Sequence, residues 1–515
     1  MRIGVLIVCA VALALGVPAQ ALTLATGGQA RATIVVATGA TAAEKTAANE
    51  VADYLRQISG ADFRVLPEDQ APTQGSRVFI GPTALAMSQG LAIDKLGPEE
   101  WGIQTVGNDL VITGGRPRGT IYGAYHFLED TLGVHWWNPF EQGVPRRKTV
   151  KLGQLNLRGK PAFQYRDIYM LYGHDDGRFA ARNRLNRDGD APISGAYGGG
   201  RDYGPPYHVH TFNSYFPPKE FFPRHPEWYS MIGGKRVGDQ GQLCLTDPGL
   251  RAAFLAKLLE TIEASWAKAK TAGTPPPPVF SVSQNDCLNP CQCERCQAIA
   301  RSEESECGPL LDFVNFLADG IKDRYPEVYL DTLAYQYTQK APKKIKPRDN
   351  VIIRLCDTGS DPTKPITSAA NTAFREHLSR WGRIAKNCRV WDYAVTYANP
   401  VGMPMPTAQT FGPDYRFYAE HNVEGVFTEL EFEILADMRD FKVWLMMKQL
   451  EDPSADYAKL VSVFTDGFYG PAAKHVRQYL ADLEAEATAR QTRCNWNSVP
   501  TSLTYLNLGF INHAQ

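Results

Sequence analysis

The segment Phe280-Ser-Val-Ser-Gln-Asn-Asp286 runs directly into Cys287-x3-Cys291-x-Cys293-x2-Cys296. An aspartate ending an apolar run can move a proton, and four thiols within ten residues can hold a zinc ion in a tetrahedral thiolate site. The spacing is not two clean C-x-x-C pairs, so disulfides compete with the metal; in an exported chain the sequence favours disulfide use over zinc. Either would staple the loop beside Asp286, and a catalytic thiol ranks last. Other acids and polar aromatics end further apolar runs: Arg166-Asp167, His208 with His210, Asp247, Asn285-Asp286, Tyr335 with Tyr337, Asp357, Asp392, and Glu429 with Glu431. Such a set fits carboxylate acid–base work. Glycoside hydrolysis is its common form: one acid protonates the leaving oxygen while a nucleophile or base acts at the anomeric carbon. For each acid taken singly, a salt bridge or a helix cap is the competing role. Arg166 and Asp167 could fix sugar hydroxyls by charge-assisted hydrogen bonds, or pair internally. His208 and His210 alternate along a run and could ligate a metal, but no third ligand follows from spacing, so sugar-hydroxyl binding or a structural role is the stronger reading. Ser283 has no G-x-S-x-G elbow around it.

The elements that must position these groups are short apolar strands alternating with helical stretches. Strands are expected over 163–169, 242–245, 279–283, 329–334, 351–355, 389–393 and 425–427, with one more hidden near 208–212. Helices fill 249–270, 309–324, 372–385 and 414–421. Strands separated by helices pair in parallel through right-handed crossovers. Eight such units predict an α/β fold, a (β/α)8 TIM-type barrel over 160–435, whose active site lies at the C-terminal strand ends. A doubly wound sheet is the topological alternative, although no glycine-rich dinucleotide fingerprint follows a strand. Ahead of the barrel, residues 30–150 predict a small α+β accessory domain: strands at 32–37, 63–66, 77–80, 101–106 and 109–113, and helices at 42–59 and 119–132. Beyond it, 436–515 reads as C-terminal helices, with Phe441, Trp444, Leu445 and Leu450 in one stripe.

The 515 residues allow about three domains, or one barrel with an accessory domain. With 54 basic against 55 acidic side chains, the balance excludes a nucleic-acid partner. The first residues read as a secretory leader: Arg2, an apolar run from Ile3 to Val17, then Pro18-Ala19-Gln20-Ala21, with cleavage after Ala21. The expectation is an exported protein, periplasmic or secreted, with no membrane span after cleavage and an odd number of cysteines. No cofactor is called for.

The motifs resemble glycoside hydrolase family 163. Ser281-Val-Ser-Gln-Asn-Asp286 with Cys291-Gln-Cys293-Glu-Arg-Cys296 carries the likeness, with Phe179-Ala-Ala-Arg-Asn-Arg-Leu185, His225-Pro-Glu-Trp-Tyr229 and Gln242-Leu-Cys-Leu-Thr-Asp-Pro248. Asp331-Thr-Leu-Ala-Tyr-Gln-Tyr337, Val390-Trp-Asp-Tyr393 and Gly425-Val-Phe427 extend it, over about residues 160–475. The N-terminal stretch, with Pro117-Arg-Gly-Thr-Ile-Tyr-Gly123, looks like the domain that precedes the barrels of hexosaminidases and α-glucuronidases. The resemblance implies a retaining β-N-acetylglucosaminidase acting on N-glycans or related glycans, in which the substrate's own acetamido group attacks the anomeric carbon. Mapped by position, Asp286 becomes the proton donor and Asn285 its orienting partner. Tyr335 or Tyr337 would bind the acetamide oxygen, and Trp391 would floor the sugar site. His210, Asp392, Arg166 and Asp167 complete the expected binding set. Members of the family place a glutamate directly after Gly-Val-Phe. Here Thr428 stands there and Glu429 follows, so either Glu429 takes over or that contribution has changed. Two other functions compete: an α-glucuronidase-like or other glycosidase, with Arg166 and Arg354 as candidates for a uronate, and a non-catalytic carbohydrate-binding surface protein.

Overall fold

The computed structural model describes residues 22–172, 177–187, 191–397, 402–431 and 435–514. The predicted leader lies outside them. The chain divides into two compact units: one runs to Val134 and resumes over Val144–Gly159, the other comprises His135–Gly143 and Lys160–Gln515.

The first unit is a mixed six-stranded sheet in the order Asn156–Gly159, Trp101–Val106, Asp109–Gly114, Ser76–Ile80, Ala32–Val36, Val65–Pro67. The helix Ala42–Ser59 begins at Thr41, whose hydroxyl accepts the Glu44 N–H while Glu44 accepts the Thr41 N–H, a reciprocal capping box. It stops at Gly60, which takes the left-handed φ of 78° that a side chain would resist. Apolar spacing at Ala47, Val51, Leu55 and Ile58 buries one face. The expected helix over 119–132 is α-helical only over Gly119–His126 and continues as a π-helical turn, Phe127–Thr131.

In the second unit six parallel strands form one sheet: β1 (Tyr165–Tyr169), β2 (Val279–Ser281), β3 (Tyr329–Ala334), β4 (Val351–Cys356), β5 (Asn387–Tyr393) and β6 (Val423–Glu429). Their order is β1-β6-β5-β4-β3-β2, so the first strand pairs with the last. That is the strand order of a partial barrel. The predicted strand near His208–Phe212 does not form among the described residues. Pro205 and Pro206 supply no N–H there, His210 takes a φ of +53°, and Phe212–Tyr215 is a short helix. Gln242–Leu245 does not become a sheet strand either. Leu243 makes one antiparallel bridge to Tyr229, and the Gln242 and Cys244 N–H groups go to Asn289 and Trp228 carbonyls. The described residues therefore form a mixed α/β fold with a partial barrel of six parallel strands, where eight were expected.

Helices Pro248–Ala272, Cys307–Ile321, Thr372–Ile384 and Phe411–Glu420 flank the sheet close to the predicted ranges. The helix Arg439–Glu451 is buried from Phe441 to Glu451 on every side. Its three buried charges each find a partner: Lys442 on Asp437 (2.7 Å), Lys448 on Asn183 (2.9 Å) and Glu451 on Arg184 (2.8 Å).

Inside the curved sheet lies an ionic layer. Arg354 of β4 pairs with Asp331 of β3 (3.1 Å), both fully buried, and donates to the Tyr203 hydroxyl. Arg389 of β5 also donates to Tyr203 (3.0 Å), sits over the Tyr165 ring and pairs with Glu424 (2.9 Å). Arg354 also packs over Tyr203 and Trp391, at 4.9 and 5.5 Å from the ring centroids. Arg354→Ala leaves Asp331 buried without its cation and opens a cavity. We expect a loss of about 3–5 kcal/mol of unfolding free energy, seen as an earlier urea midpoint; an unchanged midpoint would show that this layer does not hold the sheet.

Candidate active site

Alternate residues of a strand face opposite sides, so each strand of the sheet gives the interior every second side chain. Leu333, Cys356, Trp391 and Phe427 meet there in one apolar cluster, with Tyr165, Tyr335, Tyr393 and Tyr169 packed around them. Above this cluster opens a cleft of about 370 Å³, lined by Val209, His210, Asp286, Leu333, Tyr335, Cys356, Trp391, Tyr393, Tyr397, Glu429 and Trp496. The Trp391 ring lies nearly parallel to His208 (centroids 5.9 Å, 10°) and edge-on to Phe427 (4.4 Å).

Two carboxyl groups enter this cleft. Asp286 is exposed and accepts a hydrogen bond from the Tyr335 hydroxyl (3.1 Å), which in turn accepts one from Gln336 (3.0 Å). Glu429 ends β6 and is half-buried; burial pushes its carboxyl up to about 8, and the charge of Asp286 pushes the same way. The Trp391 indole N–H lies near enough to oppose that shift, yet makes no hydrogen bond of normal geometry; its nitrogen and Glu429 Oε2 both lack partners. Burial and the Asp286 charge drive the Tyr335 phenol upward, which keeps it a donor.

The loop bearing Asp286 is locked by amides. Gln242 accepts the Asn285 N–H (2.8 Å) and donates to the Asn285 and Cys287 carbonyls. The Asn285 side chain donates to Asn213 and Gly241 (3.0 Å each) and accepts the Asn213 N–H (3.0 Å). Asn285 is thus buried and is not among the residues that line the cleft. His210 does line the cleft, and its Nδ1–H donates to the Gln284 carbonyl (2.8 Å).

Several other expected site residues lie elsewhere. Arg166 points out of the interior and donates to the Arg184 and Phe163 carbonyls. Asp167 is fully buried against Tyr165 (2.7 Å) and Arg187 (3.3 Å). Tyr337 lines a separate small cavity with Gln242, Cys291 and Cys296. Asp392 faces away from the cleft, into a cavity shared with Asp357 and Asp414; burial and the Asp357 charge push it up to about 7. Asp247 caps the helix Pro248–Ala272, and Glu431 pairs with Arg439 (2.7 Å). Thr428 faces the helix Phe411–Glu420, 3.5 Å from the Tyr415 hydroxyl, while Glu429 takes the cleft. Sequence reasoning missed Tyr393, two residues after Trp391 and therefore on the same face. It also missed Trp496, from a stretch without periodicity.

The cysteine set changes too. The sulfurs of Cys244, Cys291, Cys293 and Cys296 all lie within 4.8 Å of one another and are buried. Cys287, expected in that set, instead accepts from Gln242 (3.3 Å). The nine cysteines of the described residues are free. His208 and His210 join no group of potential metal ligands there.

The profile of the family described as a domain of unknown function, DUF4838, matches residues 136–481, and the chain belongs to that family. No curated protein matches the sequence. A glycoside hydrolase family 115 4-O-methyl-α-glucuronidase with specificity for decorated arabinogalactans superposes with a TM-score of 0.53 at 11% identity, over 91% of this chain and 62% of that one. The chain therefore spans less than two thirds of that enzyme, and the likeness is one of fold. A mutant β-hexosaminidase of Streptomyces plicatus bound to its product GlcNAc gives 0.46 at 13% identity, covering 88% of this chain and 94% of that one. An exo-β-N-acetylglucosaminidase of Vibrio harveyi gives 0.44 at 12%, covering 91% and 76%.

Burial raises the carboxyls of Asp357 to about 6, Asp392 to about 7 and Glu429 to about 8, and pushes Asp414 well above its ordinary value. The folded chain then holds more protons than the unfolded chain between pH about 4 and about 8, so stability must fall as pH rises through that window. We expect the thermal midpoint to decline from pH 5 to pH 9, and Glu429→Gln to flatten the upper part of the decline. A midpoint that rises over this range contradicts the assignment.

Proposed function

We propose that the protein is a glycoside hydrolase acting on a neutral, N-acetylated glycan, with Glu429 as the acid and Asp286 as the carboxylate partner. One observation carries this reading: two carboxyl groups line a single aromatic cleft, and their surroundings differ. Burial keeps Glu429 protonated at neutral pH, so it has a proton to give. Asp286, exposed and held by the Tyr335 hydroxyl, is placed to face developing positive charge. In the N-acetylated case the acetamide N–H donates to Asp286 while its oxygen bonds to the anomeric carbon. The glycosidic C–O bond breaks as the leaving oxygen takes the Glu429 proton. Water then attacks the cyclised intermediate and returns a proton to the Glu429 carboxylate. This reverses the roles implied by the family 163 resemblance, which makes Asp286 the donor.

That resemblance, to retaining β-N-acetylglucosaminidases of N-glycans, is the finer form of the proposal, and the expected leader supports an exported, periplasmic or secreted enzyme. A uronate reading has less support. No arginine or lysine is among the described cleft residues, Arg354 is engaged by Asp331 beneath the cleft, and Arg166 faces away. Nor does Thr428 favour a non-catalytic protein, since Glu429 lines the cleft in regular register opposite Tyr393 and Tyr169.

The test is a screen of N-glycans, chitin oligomers and glucuronoxylan by mass spectrometry, followed by two variants. Glu429→Gln should lower kcat/KM on the cleaved glycan by about 10²–10⁴-fold, yet retain turnover of a nitrophenyl glycoside, whose leaving group needs no proton. Asp286→Asn should lose both. The opposite pattern would restore Asp286 as donor, and cleavage of glucuronoxylan alone would overturn the neutral-glycan reading.

A further inference from the structure

We propose that Cys244, Cys291, Cys293 and Cys296 bind one structural zinc ion that fixes the loop carrying Asp286. Tetrahedral Zn–S bonds of about 2.3 Å set the sulfurs about 3.8 Å apart. Here Cys244 and Cys293 are 3.6 Å apart, and all four sulfurs fall within 4.8 Å. A disulfide needs about 2.05 Å. The ligands come from two segments. Cys291, Cys293 and Cys296 lead into the helix Glu294–Glu303, with Cys293 at its N-cap and Cys296 in its first turn. Cys244 comes from the Gln242–Leu245 segment, whose bridge is to Tyr229.

A tetrathiolate zinc carries a net charge of about −2, and its surroundings must meet it. They do so with donors aimed at sulfur. The Met231 N–H donates to Cys291 (3.3 Å), the Arg236 guanidinium lies 3.8 Å from the same sulfur, and the Thr246 hydroxyl lies 3.2 Å from Cys296. Met231 packs against the four cysteines as an apolar wall. The position is also structurally apt. Gln242, two residues before Cys244, makes the hydrogen bonds that hold Asn285, the neighbour of Asp286. The metal would join the two sides of that lock by covalent-strength bonds, and it takes no part in the reaction.

The inference stands or falls on metal content, independently of the glycosidase proposal. The full chain should contain about one zinc per molecule by elemental analysis. Cobalt loaded in its place should give the thiolate charge-transfer and tetrahedral ligand-field bands of a four-sulfur site. Cys244→Ser should lose the metal and Cys287→Ser should keep it, which separates the spatial set from the run of neighbours in sequence. Should Cys244→Ser fold poorly, release of zinc from the unaltered chain by a mercurial, four thiols titrating with each ion, tests the same ligand count. Metal-free protein whose reduced form takes up neither zinc nor cobalt would overturn the proposal. So would an intact mass showing disulfides among these four cysteines, or equal metal loss from Cys287→Ser.

Discussion

Adjacent residues on a strand cannot face the same way, and the site depends on that constraint. On β5, Arg389, Trp391 and Tyr393 fall on the interior side, and Asp392 between them is sent outward into a cavity with Asp357. On β6 the same alternation gives Phe427 and Glu429 to the interior and Thr428 to a helix. Parallel pairing keeps these faces in step from strand to strand. Glu429 therefore sits level with Tyr393 on one side and Tyr169 on the other.

Beneath the cleft, charges occupy space that aliphatic side chains fill in many parallel barrels. Asp331, Arg354 and Arg389 share Tyr203 as a common partner, so the segment between β1 and β2 is tied to the sheet by polar contacts in place of strand pairing. This is how the six regular strands of the described residues present a formed floor. Tyr203 also makes the single parallel bridge to Val279, the remnant of pairing at that edge. On the opposite rim, Asp286 follows a strand of only three residues, so amide locks and the cysteine cluster must supply the rigidity that a longer strand would give.

Much of the architecture was legible because local rules decide it. The helix Ala42–Ser59 lies where its apolar period puts it, and the hairpin Trp101–Val106 with Asp109–Gly114 turns at Gly107-Asn108. The six parallel strands were legible as apolar runs. At the two expected strands that do not form among the described residues, 208–212 and 242–245, backbone donors find loop carbonyls, which no window of sequence displays. Within the site, Asp286, Tyr335, Trp391, His210 and Glu429, all expected near strand ends, line one cleft. Arg166, Asp392 and Tyr337 were equally near strand ends and were lost to orientation, Asp167 to burial. Orientation on β1 and β5 was in principle readable from parity against Tyr165 and Trp391.

The sequence by itself determined the chemistry on offer: balanced charge, acids at the ends of apolar runs, and a crowd of thiols beside one of them. Tertiary structure decided which of these groups meet. It half-buried Glu429 and so pushed its carboxyl above the ordinary range, which its sequence neighbours do not predict, because desolvation depends on what packs around a carboxyl. It brought Cys244 across 47 residues to Cys291, and it left Cys287, the nearest thiol in sequence to Asp286, outside the cluster. Spacing along a chain constrains only neighbours within a few residues, whereas a tetrahedral site or a pair of carboxyl groups is defined by distances that the fold alone sets.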